Sequence, residues 1–137
     1  MTEERYIELK FERGGVIKAK LLEEKAPKTI EAIWNALPFE TTAKQARTVQ
    51  FETYFETSHI ISGLSPENLT PGEFGAVQFG VDPYNNICIY CGDTSLKGIA
   101  APYNEFAQVP KEYLDRLAEI GTRIWEKGFE KVTISRG

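Results

Sequence analysis

Alternation of apolar and polar side chains is clearest near the start of the chain. From Tyr6 to Glu12 it puts Ile7, Leu9 and Phe11 on one face of a strand. Gly14-Gly15 can adopt positive φ and make a tight turn, and Val16 to Leu22 then resumes with Lys18 and Lys20 outward, so residues 5–23 read as a β-hairpin. Pro27 suits the first turn of a helix; Ile30, Ile33, Trp34 and Leu37 follow at helical spacing and Pro38 ends the run. Arg47 to Phe55 returns to strand character, with Val49, Phe51, Thr53 and Phe55 on one side and Gln50, Glu52 and Tyr54 on the other.

Residues 57–73 lack periodicity, and a connection of that length in a small domain is more often functional than idle. Phe74 to Val81 and Ile87 to Cys91 are two more predicted strands, joined by the turn Asp82-Pro83-Tyr84-Asn85-Asn86. Residues 92–104 read as a second irregular stretch. Pro110 opens a longer helix with Tyr113, Leu114, Leu117, Ile120, Ile124 and Trp125 as its apolar stripe and Gly128 as its cap. Phe129 to Ser135 closes the chain as a strand. Two helices cannot cover both faces of so much antiparallel sheet. The expected fold is therefore all-β with two helices: a closed antiparallel barrel capped by a helix at each end, in one domain over residues 1–137.

Composition narrows the function classes. The 137 residues carry a net charge of −4 with no basic stripe, which argues against nucleic acid. No apolar run reaches the roughly 18 residues of a membrane span, and the charged start Met1-Thr2-Glu3-Glu4-Arg5 is unlike a signal peptide, so the expectation is a cytoplasmic protein without a membrane partner. Cys88 and Cys91 form a lone C-x-x-C inside a predicted strand, where positions three apart face opposite ways. They are expected to be structural thiols, with no disulfide, metal or cofactor.

Three segments in order resemble cyclophilins: Gly15 to Ala32, containing Ala26-Pro27-Lys28-Thr29-Ile30-Glu31; Thr70-Pro71-Gly72-Glu73-Phe74-Gly75-Ala76; and Asn104-Glu105-Phe106-Ala107-Gln108-Val109 before the last helix. Ala36-Leu37-Pro38, Ala46-Arg47 and Asn104-Glu105-Phe106-Ala107 are closer still to small prokaryotic cyclophilin-like proteins of unassigned function. The resemblance implies a cyclophilin-like barrel. It also implies a depleted catalytic set, because the family's Phe-His-Arg strand is represented here by Gln45-Ala46-Arg47. Its Gln-Gly-Gly-Asp is absent, and Tyr84-Asn85-Asn86-Ile87-Cys88-Ile89 stands in place of its Asn-Gly-Ser-Gln-Phe-Phe. Only the arginine carries over.

Arg47 is accordingly the leading candidate, able to donate to a peptide carbonyl or pair with a carboxylate; the alternative is an exposed strand-end charge paired with a glutamate. His59, the single histidine, has no nucleophile elbow or second ligand and reads as a pocket-lining or plain loop residue. Tyr54, Gln78, Tyr90 and Asn104 offer polar tips at strand or strand-end positions, either as a binding wall or half-buried in packing. Trp34 and Trp125 read as core. The leading functional reading is a domain that binds a small polar ligand or short peptide in a groove near Arg47. A peptidyl-prolyl cis-trans isomerase with a divergent active site is the second, and a non-enzymatic assembly domain, pairing as a homodimer, the third.

Overall fold

Eight strands close into one antiparallel barrel in the order β1-β2-β7-β5-β6-β4-β3-β8. The computed structural model describes residues 4–46, 51–92 and 102–137. In chain order the elements are β1 (Tyr6–Phe11), β2 (Val16–Leu21), α1 (Pro27–Ala36), β3 (Phe39–Gln45), β4 (Glu52–Phe55), β5 (Ala76–Gly80), β6 (Ile87–Tyr90), β7 (Tyr103–Gln108), a single 3-10 turn (Lys111–Tyr113), α2 (Leu114–Lys127) and β8 (Glu130–Arg136). Among the described residues no helix is long and apolar enough to cross a membrane.

The opening hairpin forms as its alternation dictates. β1 and β2 pair from Tyr6↔Lys20 to Lys10↔Val16 across the Gly14-Gly15 turn, whose φ angles are +114° and +104°. The inward residues Ile7, Leu9, Phe11, Ile17 and Ala19 join Phe55, Val77, Phe79, Ile87, Ile89 and Phe106 in the barrel interior. The helices then close opposite ends. α1 turns Ile30 and Ile33 inward, and Thr29 beside them meets Asn104 at the start of β7. α2 turns Leu117, Ile120 and Ile124 inward. At that end Gly121 brings its backbone against Cys91, where a Cβ would lie 2.4 Å from the cysteine's own Cβ.

Two strands lie where the sequence predicts none. β3 has only Phe39 and Ala43 as apolar residues, and its inward set is completed by Thr41, whose hydroxyl donates to the Glu56 carbonyl. Its strand state comes from two long ladders, Phe39↔Ile134 to Ala43↔Glu130 and Ala43↔Phe55 to Gln45↔Thr53. β7 falls in the segment expected to be irregular or to lead into the last helix. A bulge against Val77/Gln78 breaks its period of two, so that Phe106 and Ala107 are adjacent and both buried. The predicted strand from Arg47 begins instead at Glu52; Phe51 has φ +67° and is exposed, and residues 47–50 lie outside the described residues. Trp125 corrects a further expectation. It stands 50% exposed, one step off the inward stripe of Leu117, Ile120, Gly121 and Ile124. Trp34 packs against the core as expected, its ring between the guanidinium groups of Arg5 (4.6 Å) and Arg136 (4.8 Å).

Candidate functional site

Strand alternation sends the polar residues of four neighbouring strands to the outside of the barrel. β4 presents Glu52 and Tyr54, β6 presents Cys88 and Tyr90, β5 presents Gln78, and β7 presents Tyr103 and Glu105. Register aligns them. Glu52 lies opposite Tyr90, while Tyr54, Cys88, Gln78 and Glu105 form one row across all four strands. Such a face is ordinarily wet. Here Tyr90 and Gln78 are 0% exposed, Cys88 1% and Glu52 5%.

Part of the cover is the connection between β4 and β5. Gln78 Nε2 donates to the Thr70 carbonyl (2.9 Å) and hydroxyl (2.8 Å), and the Thr70 hydroxyl donates to Glu105 (2.9 Å). Gly72, at φ +82°, lies on the Tyr90 ring so closely that a Cβ would come within 2.3 Å of it. Glycine is required there on both counts.

The covered face is incompletely satisfied. Tyr90 Oη and Gln78 Oε1 have no hydrogen-bond partner, and Asn85 Oδ1 at the β5–β6 turn is a third such atom among the described residues. Because Gln78 Nε2 faces a carbonyl, the amide cannot be turned over to relieve its oxygen. Glu52 has one polar partner, the Cys88 thiol, and takes part in no ion pair among the described residues.

Burial raises the Glu52 carboxyl above the usual carboxylate range, and the thiol hydrogen bond only partly opposes it. Burial, then the neighbouring Glu52 charge, pushes the Cys88 thiol well up, so it is a poor nucleophile. Tyr90 is raised by burial, then by Glu52 and Cys88; Tyr103 is raised by burial, then by Cys88 and Glu52. Burial thus shifts all four neighbouring groups in the same direction, toward the protonated form. Cys91 faces the interior, where burial pushes its thiol up to about 12, and it meets Thr53 at 3.6 Å. Both cysteines are free and lie on opposite faces of the wall, and the described residues contain no group of ligands able to hold a metal.

One consequence is measurable. Glu52 binds its proton more tightly folded than unfolded, so its contribution to stability is full below about pH 4 and is lost as pH rises through its higher folded range. Glu52→Gln keeps the shape and removes the charge. It is expected to stabilise the protein at pH 8 by about 1 kcal/mol, a rise of roughly 3–5 °C in midpoint, and to have almost no effect at pH 4. Melts followed by circular dichroism at the two pH values check this, and an equal shift at both would contradict it.

Of the residues singled out from sequence, Tyr54, Gln78 and Tyr90 come together on this face. Tyr90 is fully buried rather than half-buried, and Tyr54 also borders a shallow groove with Lys44, Gln45, Ile124 and Phe129. Asn104 is buried at the barrel end beside α1. Its carboxamide accepts from Glu67 N (2.7 Å) and Asn68 N (2.9 Å) and donates to Ser65 O (2.9 Å) and Thr29 Oγ1 (3.3 Å). His59 is exposed in the turn after β4. Arg47 lies outside the described residues. Sequence reasoning missed Glu52, Cys88 and Tyr103 as members of the site. Alternation alone made Glu52 a solvent-facing strand acid, and only the length of the 57–73 connection hinted that this face is covered.

No curated protein matches the chain. Among the solved structures that share its barrel are McbB and AF2241. McbB in complex with tryptophan superposes at a TM-score of 0.77 with 18% identity, over 94% of this chain and 44% of that one, so this chain spans less than half the length of McbB. The hypothetical protein AF2241 from Archaeoglobus fulgidus superposes at 0.68 with 25% identity, over 98% of this chain and 95% of that one. A family model matches residues 11–136, and the chain thereby belongs to the family described as protein of unknown function DUF3830.

Proposed function

We propose that this barrel is a binding protein that takes a small polar ligand or a short peptide on the outer face of β4–β6–β5–β7. The observation that carries the reading is the pair of fully buried atoms without partners, Tyr90 Oη and Gln78 Oε1, beside a buried acid. Each unsatisfied buried polar group costs about 1–3 kcal/mol. Two on one face, within a single row of strands, suit a surface whose partners arrive with a ligand. Gln78, Tyr90 and Tyr54 are the contacts we assign. Asn104 has its carboxamide engaged in the frame.

The cyclophilin likeness of Ala26-Pro27-Lys28-Thr29-Ile30-Glu31 makes a proline-containing peptide the first probe. Amide spectra of the isotope-labelled protein should shift at residues of β4, β5 and β6 when Ala-Ala-Pro-Ala is added, and Gln78→Leu should suppress those shifts. Exchange peaks linking the peptide's cis and trans forms, accelerated by the protein, would turn the reading towards a prolyl isomerase. Native mass spectrometry of protein taken gently from its host asks the same question of small ligands. A bare mass, with no shift from the peptide, would count against the proposal.

A further inference from the structure

We propose that the outer-face site takes an organic cation, a protonated primary amine carried on an aromatic body, with Glu52 as its anchor. The inference rests on the binding reading above and adds the chemical class of the ligand. It starts from how this chain treats its other sheltered carboxylates. Glu130, with its side chain 0% exposed, is held by Arg123 through both oxygens (2.8 and 2.9 Å) and by the Arg13 amide (2.9 Å). Glu67 receives the amides of Lys28 and Thr29 (both 3.0 Å) and the Thr29 hydroxyl (2.9 Å). Glu23 is paired with both arms of Arg5 (2.7 and 2.6 Å). Glu52, only 5% exposed, has a thiol and nothing basic among the described residues. A buried carboxylate without a cation is a costly arrangement, and a positive charge delivered by a ligand offsets that cost.

The acceptor capacity of this face suits such a group. A primary ammonium carries three N–H donors and no acceptor. The face holds two buried atoms without partners that can accept, Gln78 Oε1 and the lone pairs of Tyr90 Oη, beside the Glu52 carboxylate, whose one polar partner is the Cys88 thiol. A neutral amide would leave Glu52 without a counter-charge, and an anion would be repelled by it. Aromatic surface suited to such a cation lies alongside. The Tyr90 ring stands opposite Glu52, and Tyr103 and Tyr84 meet edge-to-face at 5.6 Å over Gly80. Phe51, 39% exposed, immediately precedes Glu52. The net charge of −4 favours the approach of a cation over that of an anion.

Three probes with one aromatic body test this on the intact protein: 2-phenylethylamine, 2-phenylethanol and 3-phenylpropanoate. Calorimetry at pH 7.5 should give the amine at least about tenfold tighter binding than the alcohol, a difference of about 1.4 kcal/mol. The carboxylate should show none. Amine affinity should fall as pH is lowered and Glu52 takes its proton, and binding should release protons, read from the enthalpy in two buffers of different ionisation heat. Glu52→Gln should abolish the preference for amine over alcohol while leaving the protein folded. If the alcohol binds this face as well as the amine does, or Glu52→Gln leaves the preference unchanged, the inference is overturned and the binding reading stands. Amine-induced shifts confined to other surfaces overturn it equally. If none of the three probes nor the proline peptide perturbs β4–β6–β5, both readings fall.

Discussion

Glu130→Ala is expected to lower the free energy of unfolding by about 3–4 kcal/mol, near the low end for breaking a buried ion pair because Arg123 remains 23% exposed. Glu130 opens β8 and its carboxylate joins three parts of the chain. Arg123 of α2 grips both oxygens, and the same guanidinium donates to Gly14 O (3.0 Å) in the β1–β2 turn. The backbone amide of Arg13 in that turn donates to Glu130 as well (2.9 Å). Removing the carboxylate strands the Arg13 amide and the Arg123 guanidinium, and loosens α2 from the barrel end it closes. Urea unfolding should show the loss, and the thermal midpoint should fall by about 10 °C. Arg123→Ala should cost a comparable amount, because it leaves the fully buried Glu130 carboxylate with only the Arg13 amide and the Arg13 guanidinium at 3.8 Å, and the double variant should show a coupling of at least about 1 kcal/mol. A loss below about 1 kcal/mol for Glu130→Ala would mean that the network contributes little more than an exposed pair.

Asn104→Ala is expected to cost about 2–3 kcal/mol, from four hydrogen bonds made by a fully buried carboxamide. The effect should spread along a defined path. α1 has no capping side chain of its own, since its N-cap is Ala26. Glu67 supplies the cap from outside the helix, and Asn104 holds Glu67 in place through its backbone amide. Amide exchange should therefore accelerate at residues 65–68 and in the first turn of α1, while α2 stays protected. The same cap gives an acid limit. Burial works against the Glu67 charge, but the bonds from Thr29 and Lys28 outweigh it and hold the carboxyl low. The cap's stabilisation is accordingly present above about pH 4.3 and is lost as pH falls through the lower folded value. Uniform acceleration of exchange across the barrel would show that Asn104 serves the whole fold and not this corner.

Much of the frame was legible because it depends on neighbours in sequence. The Ile7-Leu9-Phe11 alternation, the Gly14-Gly15 turn, Pro27 at a helix start and the Leu117-Ile120-Ile124 stripe each predict the element that forms. The closed barrel followed from counting apolar faces against two helices. The candidate site was legible only in part. Tyr54, Gln78 and Tyr90 were named, but as surface or half-buried groups, and their grouping with Glu52 and Cys88 depends on cross-strand register. No local pattern carries that register.

Sequence by itself determined the elements whose periodicity is strong, the barrel class, and the separation of Cys88 from Cys91 across a strand, because these follow from backbone geometry within a few residues. Tertiary structure decided the rest. β3 and β7 are strands because distant partners supply their ladders, despite weak or bulge-broken patterns. Gln78 and Tyr90 are buried because Thr70 to Gly72, in the long connection between β4 and β5, lies over their face. Whether an outward-facing residue meets water or protein is set by what passes above it, and that is a long-range fact.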